Sequence, residues 1–178
     1  MRIISGTHKG RRISPDKKFK ARPTTDFAKE NIFNVISNWY DIDGLDVLDL
    51  FSGTGGISYE FASRGAKSVI SVEKEFSHQA FIRRTITDLG FENIKSLKAD
   101  VFKYLKSCKF KFDLIFADPP YALDNIESIP DLVFDNDLLQ DNGILIVEHS
   151  KDTNFSKHPM FTEQRVYGSV NFSIFAKE

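Results

Sequence analysis

Residues 46–56 read DVLDLFSGTGG. DVLDL (46–50) has the apolar, β-branched character of a buried strand. Gly56–Arg64 is predicted as a helix, closed by Gly65. Between them, FSGTGG (51–56) forms a turn whose glycines accept a tight backbone and leave no Cβ between main chain and ligand. Strand, glycine turn and helix in that order open a βαβ unit.

The same alternation continues. KSVISV (67–72) is the next predicted strand, and Ser77 is placed to cap a helix that runs to Leu89 and stops at Gly90. IKSL (94–97) is a weaker third strand, followed by a short helix from Val101. FDLIFA (112–117) is the fourth strand, with a helix near Asn125–Phe134. GILIVEH (143–149) is the fifth. TEQRVYG and SVNFSIFA then read as an antiparallel hairpin around Gly168. Alternating strands and helices imply a doubly wound α/β fold with a mostly parallel sheet, seven strands counting the final hairpin. Upstream, RIIS (2–5) and GRRI (10–13) suggest a small basic hairpin. A helix starting at Thr24/Thr25 carries Ile32, Val35, Ile36 and Trp39 at i, i+3, i+4, i+7 spacing, a stripe expected to pack on the sheet. The 178 residues are read as one domain, a basic arm at 1–24 on a core at 25–178.

The first four strands each end at or near an acid: Asp49, Glu73, Asp100 and Asp118. A parallel sheet puts all carboxyl ends on one side, where open α/β sheets bind ligands. Glu73 follows Gly53 by 20 residues, the place where an acid takes ribose hydroxyls. A dinucleotide fingerprint needs a third glycine at 58, and the residue is Ser58. The loop therefore suits a single adenosine with a short charged tail, S-adenosylmethionine, with Asp100 near the adenine amino group.

The fourth strand runs into DPPY (118–121), a tetrapeptide expected by chance in roughly one chain in a thousand of this length. An exocyclic amino group on a base is a poor nucleophile because its lone pair is delocalised into the ring. The Asp118 carboxylate and the Pro119 carbonyl, as acceptors for its two N–H bonds, turn that lone pair outward and stabilise the charge that grows on nitrogen. Pro119 and Pro120 fix φ and remove N–H donors, so the loop stays rich in acceptors. Tyr121 offers a stacking face, worth about 1–3 kcal/mol per base.

Charge is unevenly spread. Residues 1–22 hold eight Lys/Arg against the single acid Asp16, a net +7, which leaves sixteen bases against twenty-four acids, a net −8, on the rest. A basic arm on an acidic body points to a polyanion such as nucleic acid, with a solvated basic tail as the plainer alternative. One cysteine, Cys108, excludes an internal disulfide and reads as a small buried filler; four scattered histidines offer no zinc spacing. No apolar stretch reaches 18 residues and MRIISGTHKG lacks a signal-peptide core, so a cytoplasmic protein is expected.

With these features in place, the sequence resembles the RsmD family of bacterial 16S rRNA guanine-N2 methyltransferases. The matching segments are MRIISGTHKGRRI (1–13), RPTTD (22–26), VLDLFSGTGG (47–56), SRGAKSVISVEKE (63–75), DLIFADPPYA (113–122), IVEHSK (146–151) and RVYG (165–168). DPPY is shared with many amino-methyltransferases; the N-terminal pair and EHS are specific to this family. The resemblance implies a class I, Rossmann-like methyltransferase that uses S-adenosylmethionine on 16S rRNA in the small ribosomal subunit, as a monomer without metal or membrane. It implies a base site at Asp118, Pro119, Pro120 and Tyr121. The cofactor set is Asp49, Phe51, Ser52, Gly53, Gly55 and Glu73, together with Lys74, Asp100, Val101, Asp118, Thr24 and Thr25. The arm contacts assigned to RNA are Arg2, Lys9, Arg11, Arg12 and Arg22. Phe27 departs from the basic or small residue expected after TTD, and the segment after DPPYA is short. His149 reads either as a substrate-side residue or as an ordinary strand-end hydrogen bonder. A DNA adenine or cytosine amino-methyltransferase and a non-catalytic RNA-binding assembly factor are the competing readings.

Overall fold

The computed structural model describes residues 1–15 and 26–177. Arg22, Thr24 and Thr25, and with them the expected start of the first helix, lie outside the described residues. The strands are β1 (Asp46–Leu50), β2 (Ser68–Glu73), β3 (Ile94–Lys98), β4 (Phe112–Ala117), β5 (Leu139–His149), β6 (Phe161–Tyr167) and β7 (Val170–Ala176). They form one sheet in the order β3-β2-β1-β4-β5-β7-β6. The first five are parallel, and β7 runs antiparallel to both β5 and β6. This is the seven-stranded α/β fold expected from the sequence.

Helices α1 (Asp26–Trp39), α2 (Gly56–Ser63) and α3 (Phe76–Leu89) cover one face; α4 (Val101–Ser107) and α5 (Ser128–Asp135) cover the other. Strand residues alternate between the two cores. Val47, Leu114, Phe116, Ile144 and Ile146 join the α1–α3 side, while Leu48, Leu50, Ile115, Ala117, Leu145 and Val147 join the α4–α5 side. A sheet buried on both faces explains why these strands read as nearly continuous apolar runs.

Several boundaries move. β5 starts four residues earlier than GILIVEH suggested, across a register irregularity opposite Phe112 and Leu114. Helix α3 begins at Phe76, so Ser77 lies inside the first turn and caps nothing; Glu75 is the N-cap residue, and its N–H is held by the Glu73 carboxylate at 2.8 Å. Helix α5 begins at Ser128, because 124–127 form turns that precede it. Trp39, expected in the core, is 42% exposed. The buried stripe of α1 runs instead through Lys29, Ile32, Phe33 and Ile36, and Trp39 sits on its flank at the helix end. A lysine in line with that stripe concealed its true direction.

Lys29 is buried because it has a partner. Its Nζ lies 3.5 Å from Glu60 Oε2 on α2 and donates to the Arg2 carbonyl at 2.5 Å. Glu60, fully buried, also accepts from the N–H groups of Ile4 (2.8 Å) and Ser5 (3.0 Å) and from Arg64 Nε (2.8 Å). One carboxylate thus pins the N-terminal segment to the body. Ser63 adds to this: its Oγ donates to the Ser5 carbonyl at 2.6 Å and accepts from the His8 N–H at 2.9 Å. The expected hairpin is present as a chain reversal with an isolated bridge, Arg2 opposite Arg12, and backbone hydrogen bonds from Ile3 to Arg11, Gly10 to Ile3 and Ile13 to Met1. Gly6 permits its close approach: φ is +80°, and a Cβ there would fall 1.7 Å from the Ser63 carbonyl oxygen.

Removing one partner of a buried ion pair leaves the other charge unanswered. Glu60→Ala is therefore expected to lower unfolding free energy by about 3–5 kcal/mol and to release residues 1–13 to proteolysis. Urea unfolding and limited digestion measure the two effects.

Candidate active site

Each acid named from the strand ends borders one cleft of about 820 Å³ at the carboxyl edge of the sheet: Asp49, Glu73, Asp100 and Asp118. Phe51, Ser52, Gly53, Lys74, Val101, Pro119, Pro120 and Tyr121 line it as well. The volume is within the range of small-molecule sites.

The glycine turn works as a unit with its neighbours. Phe51 takes φ of 57° and Gly53 φ of 54°, left-handed conformations that fold the chain back on itself. Ser52 donates from Oγ to the Asp49 carbonyl (2.8 Å) and from its N–H to the Val72 carbonyl (3.1 Å). The Gly53 N–H donates to Glu73 Oε2 at 2.8 Å, joining turn and acid. Gly55 does not face the cleft. With φ of +84° it is the N-cap residue of α2, and a Cβ there would lie 2.6 Å from the Tyr59 ring.

The acids differ in how they are held. Asp49 is 1% exposed, and the Ser58 hydroxyl donates to its Oδ2 at 2.5 Å. Ser58, which breaks the dinucleotide fingerprint, is thus the residue that supports Asp49. Burial pushes the Asp49 carboxyl up to about 7, against the Ser58 hydrogen bond and with help from the charge of Asp118. Asp100 is the N-cap of α4: its Oδ1 accepts from the Lys103 N–H at 3.2 Å, and Lys74 Nζ lies 3.4 Å from Oδ2. The Lys103 N–H and then Lys74 hold the Asp100 carboxyl below the usual range. Asp118 leaves β4 with its N–H on the Leu50 carbonyl (3.3 Å). The Pro120 carbonyl is taken by the Leu123 N–H at 2.9 Å. Tyr121 is 55% exposed, and its hydroxyl donates to Glu148 Oε1 at 3.3 Å.

Sequence reasoning missed part of the wall. Met1 and Lys29 come from the N-terminal side, Thr54 and Ile57 from the glycine turn and α2, His78 and Phe102 from α3 and α4, and Glu148, Ser169 and Val170 from β5 and the final hairpin. Nothing local marks Met1 or Lys29. Glu148 did carry a signal, since it stands next to last in the fifth strand as Asp49 does in the first. Its neighbour His149 drew attention instead, and His149 is fully buried, with Nδ1 bonded to the Ser150 carbonyl (2.7 Å) and Nε2 to Ser173 Oγ (2.8 Å). It is the ordinary hydrogen bonder of the two readings. Of the arm residues, Lys9, Arg11 and Arg12 are exposed, while Arg2 sits 3.9 Å from Asp26. Cys108 is a buried free thiol. Among the described residues no cluster of His, Cys, Asp and Glu has the form of a metal site, and no helix is long and apolar enough to cross a membrane.

Fold and cleft define a class I methyltransferase. An Escherichia coli structure described as "Putative methyltransferase yhhF" superposes with a TM-score of 0.87 at 25% identity, covering 100% of this chain and 98% of that one. A Bacillus subtilis (strain 168) protein named "Putative rRNA methyltransferase YlbH" is 30% identical over 99% of both chains. A Buchnera aphidicola protein named "Ribosomal RNA small subunit methyltransferase D" is 31% identical over 86% of this chain and 78% of its own. The family model "Conserved hypothetical protein 95" matches residues 1–176. The chain belongs to this family, the RsmD family.

Asp49 yields a pH prediction. Its folded value of about 7 exceeds the ordinary 3.8, so between those pH values the native state keeps a proton that the unfolded chain has lost. Stability should fall as pH rises through that window, by up to about 1.4 kcal/mol per pH unit. Asp49→Asn is expected to remove this slope, so that it gains on the parent protein between pH 5 and pH 8 in thermal melts.

Proposed function

We propose that this protein methylates the exocyclic N2 amino group of a guanine in 16S rRNA, within the assembled or assembling small subunit, in the cytoplasm. The observation that carries the reading is the placement of DPPY: Asp118 lies beside Asp49, Glu73 and Asp100 in one cleft, in a chain whose relatives are named for small-subunit rRNA methylation.

The cleft suits S-adenosylmethionine. Its anionic wall complements a ligand with an ammonium and a sulfonium, and the glycine turn leaves the backbone open to close approach. Glu73 is the residue to accept ribose hydroxyls, and Asp100 with Val101 to meet the adenine. Asp49 and the turn 51–53 then face the zwitterionic amino-acid end, whose ammonium suits the acid. Bound there, the cofactor supplies an electrophilic methyl on sulfur: the C–S bond breaks as the N–C bond forms, leaving a neutral thioether.

The chain's own work is on the base. Tyr121 stacks on an extruded guanine, a base that a duplex would first have to release. Asp118 and the Pro119 carbonyl accept the two N2 hydrogens, hold the lone pair toward the methyl and offset the positive charge that develops on nitrogen. The methylated ammonium then gives its extra proton to water, so no strong base is required. Holding nucleophile and electrophile together supplies much of the rate.

Methyl label from S-adenosylmethionine should enter small-subunit rRNA taken from cells that lack this protein, with N2-methylguanosine found by nucleoside mass spectrometry. Label only in duplex DNA would contradict the reading. Asp118→Ala should bind cofactor within about threefold of the parent in calorimetry, yet lose transfer by at least about a hundredfold, the scale of one lost electrostatic stabiliser. Near-normal turnover in that variant would refute the mechanism.

The arm makes a separate prediction. Replacing the exposed Arg11 and Arg12 together with Ala should weaken binding to small-subunit particles and flatten its salt dependence by about two units of slope. Binding across a salt series reads both, and unchanged affinity and slope would make the arm a solvated tail.

A further inference from the structure

DPPY does not choose its base, because adenine, cytosine and guanine all carry an exocyclic amino group. They differ in the ring nitrogen beside it. Adenine N1 and cytosine N3 are bare acceptors, whereas guanine N1 carries a hydrogen and is a donor. A group that tells them apart must accept a hydrogen bond, donate none, and lie next to the acceptors for the amino group.

Glu148 meets these conditions. It is the penultimate residue of β5, 4% exposed, and lines the same cleft as Asp118. The parallel register pairs Ala117 with Val147, so positions 118 and 148 follow side by side at the carboxyl edge, about 4.8 Å apart by the usual strand spacing. Ile146 packs on the α1–α3 face, so alternation along β5 points Glu148 to that face, the one Asp49 shares through Val47. The Tyr121 hydroxyl donates to Oε1 at 3.3 Å, which ties the carboxylate to the proposed stacking ring. A carboxylate, when ionised, has about four acceptor positions and no donor.

We infer that Glu148 is the specificity residue for guanine: its carboxylate accepts the N1–H while Asp118 and Pro119 take the N2 hydrogens. Adenine or cytosine in the same pose sets a ring lone pair against the carboxylate oxygens and forfeits the N1–H bond. A site built to hydrogen-bond one group rejects analogues that lack it by large factors. The inference rests on the guanine reading above and adds to it the residue that names the base.

The test uses 2-aminopurine, which keeps the reactive amino group and replaces the N1–H with a bare acceptor. Small-subunit particles are reconstituted with guanosine or 2-aminopurine riboside at the position that mass spectrometry identifies. Cofactor binding and thermal melts of Glu148→Gln establish that the variant is folded. The unchanged protein should favour guanine by at least about a hundredfold in kcat/KM. Glu148→Gln, whose carboxamide either donates or accepts, should lose guanine transfer, gain 2-aminopurine transfer, and bring the ratio below about tenfold. Tyr121→Phe deletes the hydroxyl that meets Glu148 but keeps ring and carboxylate, and should lower transfer to both bases alike. An unchanged ratio in Glu148→Gln overturns the inference, as does equal use of both bases by the unchanged protein. A ratio that collapses as far in Tyr121→Phe also overturns it, since Glu148 would then act only by holding the ring. Absence of guanine transfer by the unchanged protein removes the functional reading and this inference together; guanine transfer with an unaltered ratio removes this inference alone.

Discussion

The reversal of strand order beside β1 is the constraint on which this molecule is built. From β1 the chain moves outward through β2 to β3, then returns to place β4 on the other side of β1 and continues to β5. Connections leaving β1 and β4 therefore diverge to opposite faces of the sheet, which parts the chain above their carboxyl ends. Such a switch point is an opening that the topology cannot avoid. The glycine turn after β1 and DPPY after β4 flank it directly, while Glu73 and Asp100 reach it from the next strands outward. The chemistry follows from where loops must part.

Collecting carboxylates in one opening is costly, because like charges at short range raise one another's proton affinity and burial disfavours ionisation. The structure answers Asp49, Glu73, Asp100 and Glu148 with nearby donors. Ser58 serves Asp49, the N–H groups of Gly53 and Glu75 serve Glu73, the Lys103 N–H and Lys74 serve Asp100, and the Tyr121 hydroxyl serves Glu148. Half of these donors are backbone N–H groups at turns or helix starts, placed by the fold itself. Asp49 is the most deeply buried of them, and that burial raises its proton affinity against the hydrogen bonds from Ser58 and Ser52.

What the sequence made legible was whatever a short window encodes. Strand alternation, the glycine turn and the acid after each strand are local patterns, and the four named acids do converge on one cleft. What it hid were long-range pairings. Lys29 reads as a surface charge in a helix until Glu60, 31 positions later, is known to be its partner. Trp39 reads as core by spacing, yet the stripe turns about Lys29 and leaves it at the margin. Ser77 looks like a cap, but the entry into α3 is held by a side chain from the preceding strand. Glu148 carried a strand-end signal of its own, and laying β5 beside β4 is what puts it in the cleft with Asp118.

The basic N-terminal segment gains meaning from the same contrast. An opening lined by acids repels a phosphate backbone, so on the proposed reading only an uncharged base should enter while its phosphates stay outside. Something must then hold those phosphates against the field of a body with net charge −8. A loose basic tail would do this at the entropic cost of ordering it on each encounter. Here Glu60 and Ser63 fix the segment to α2, Met1 forms part of the cleft wall, and Lys9, Arg11 and Arg12 remain exposed. The positive charges are thus held at a set distance from the cleft in advance of binding. A docked arm of this kind spends its binding energy on placement rather than on folding, which is what a reaction governed by orientation needs.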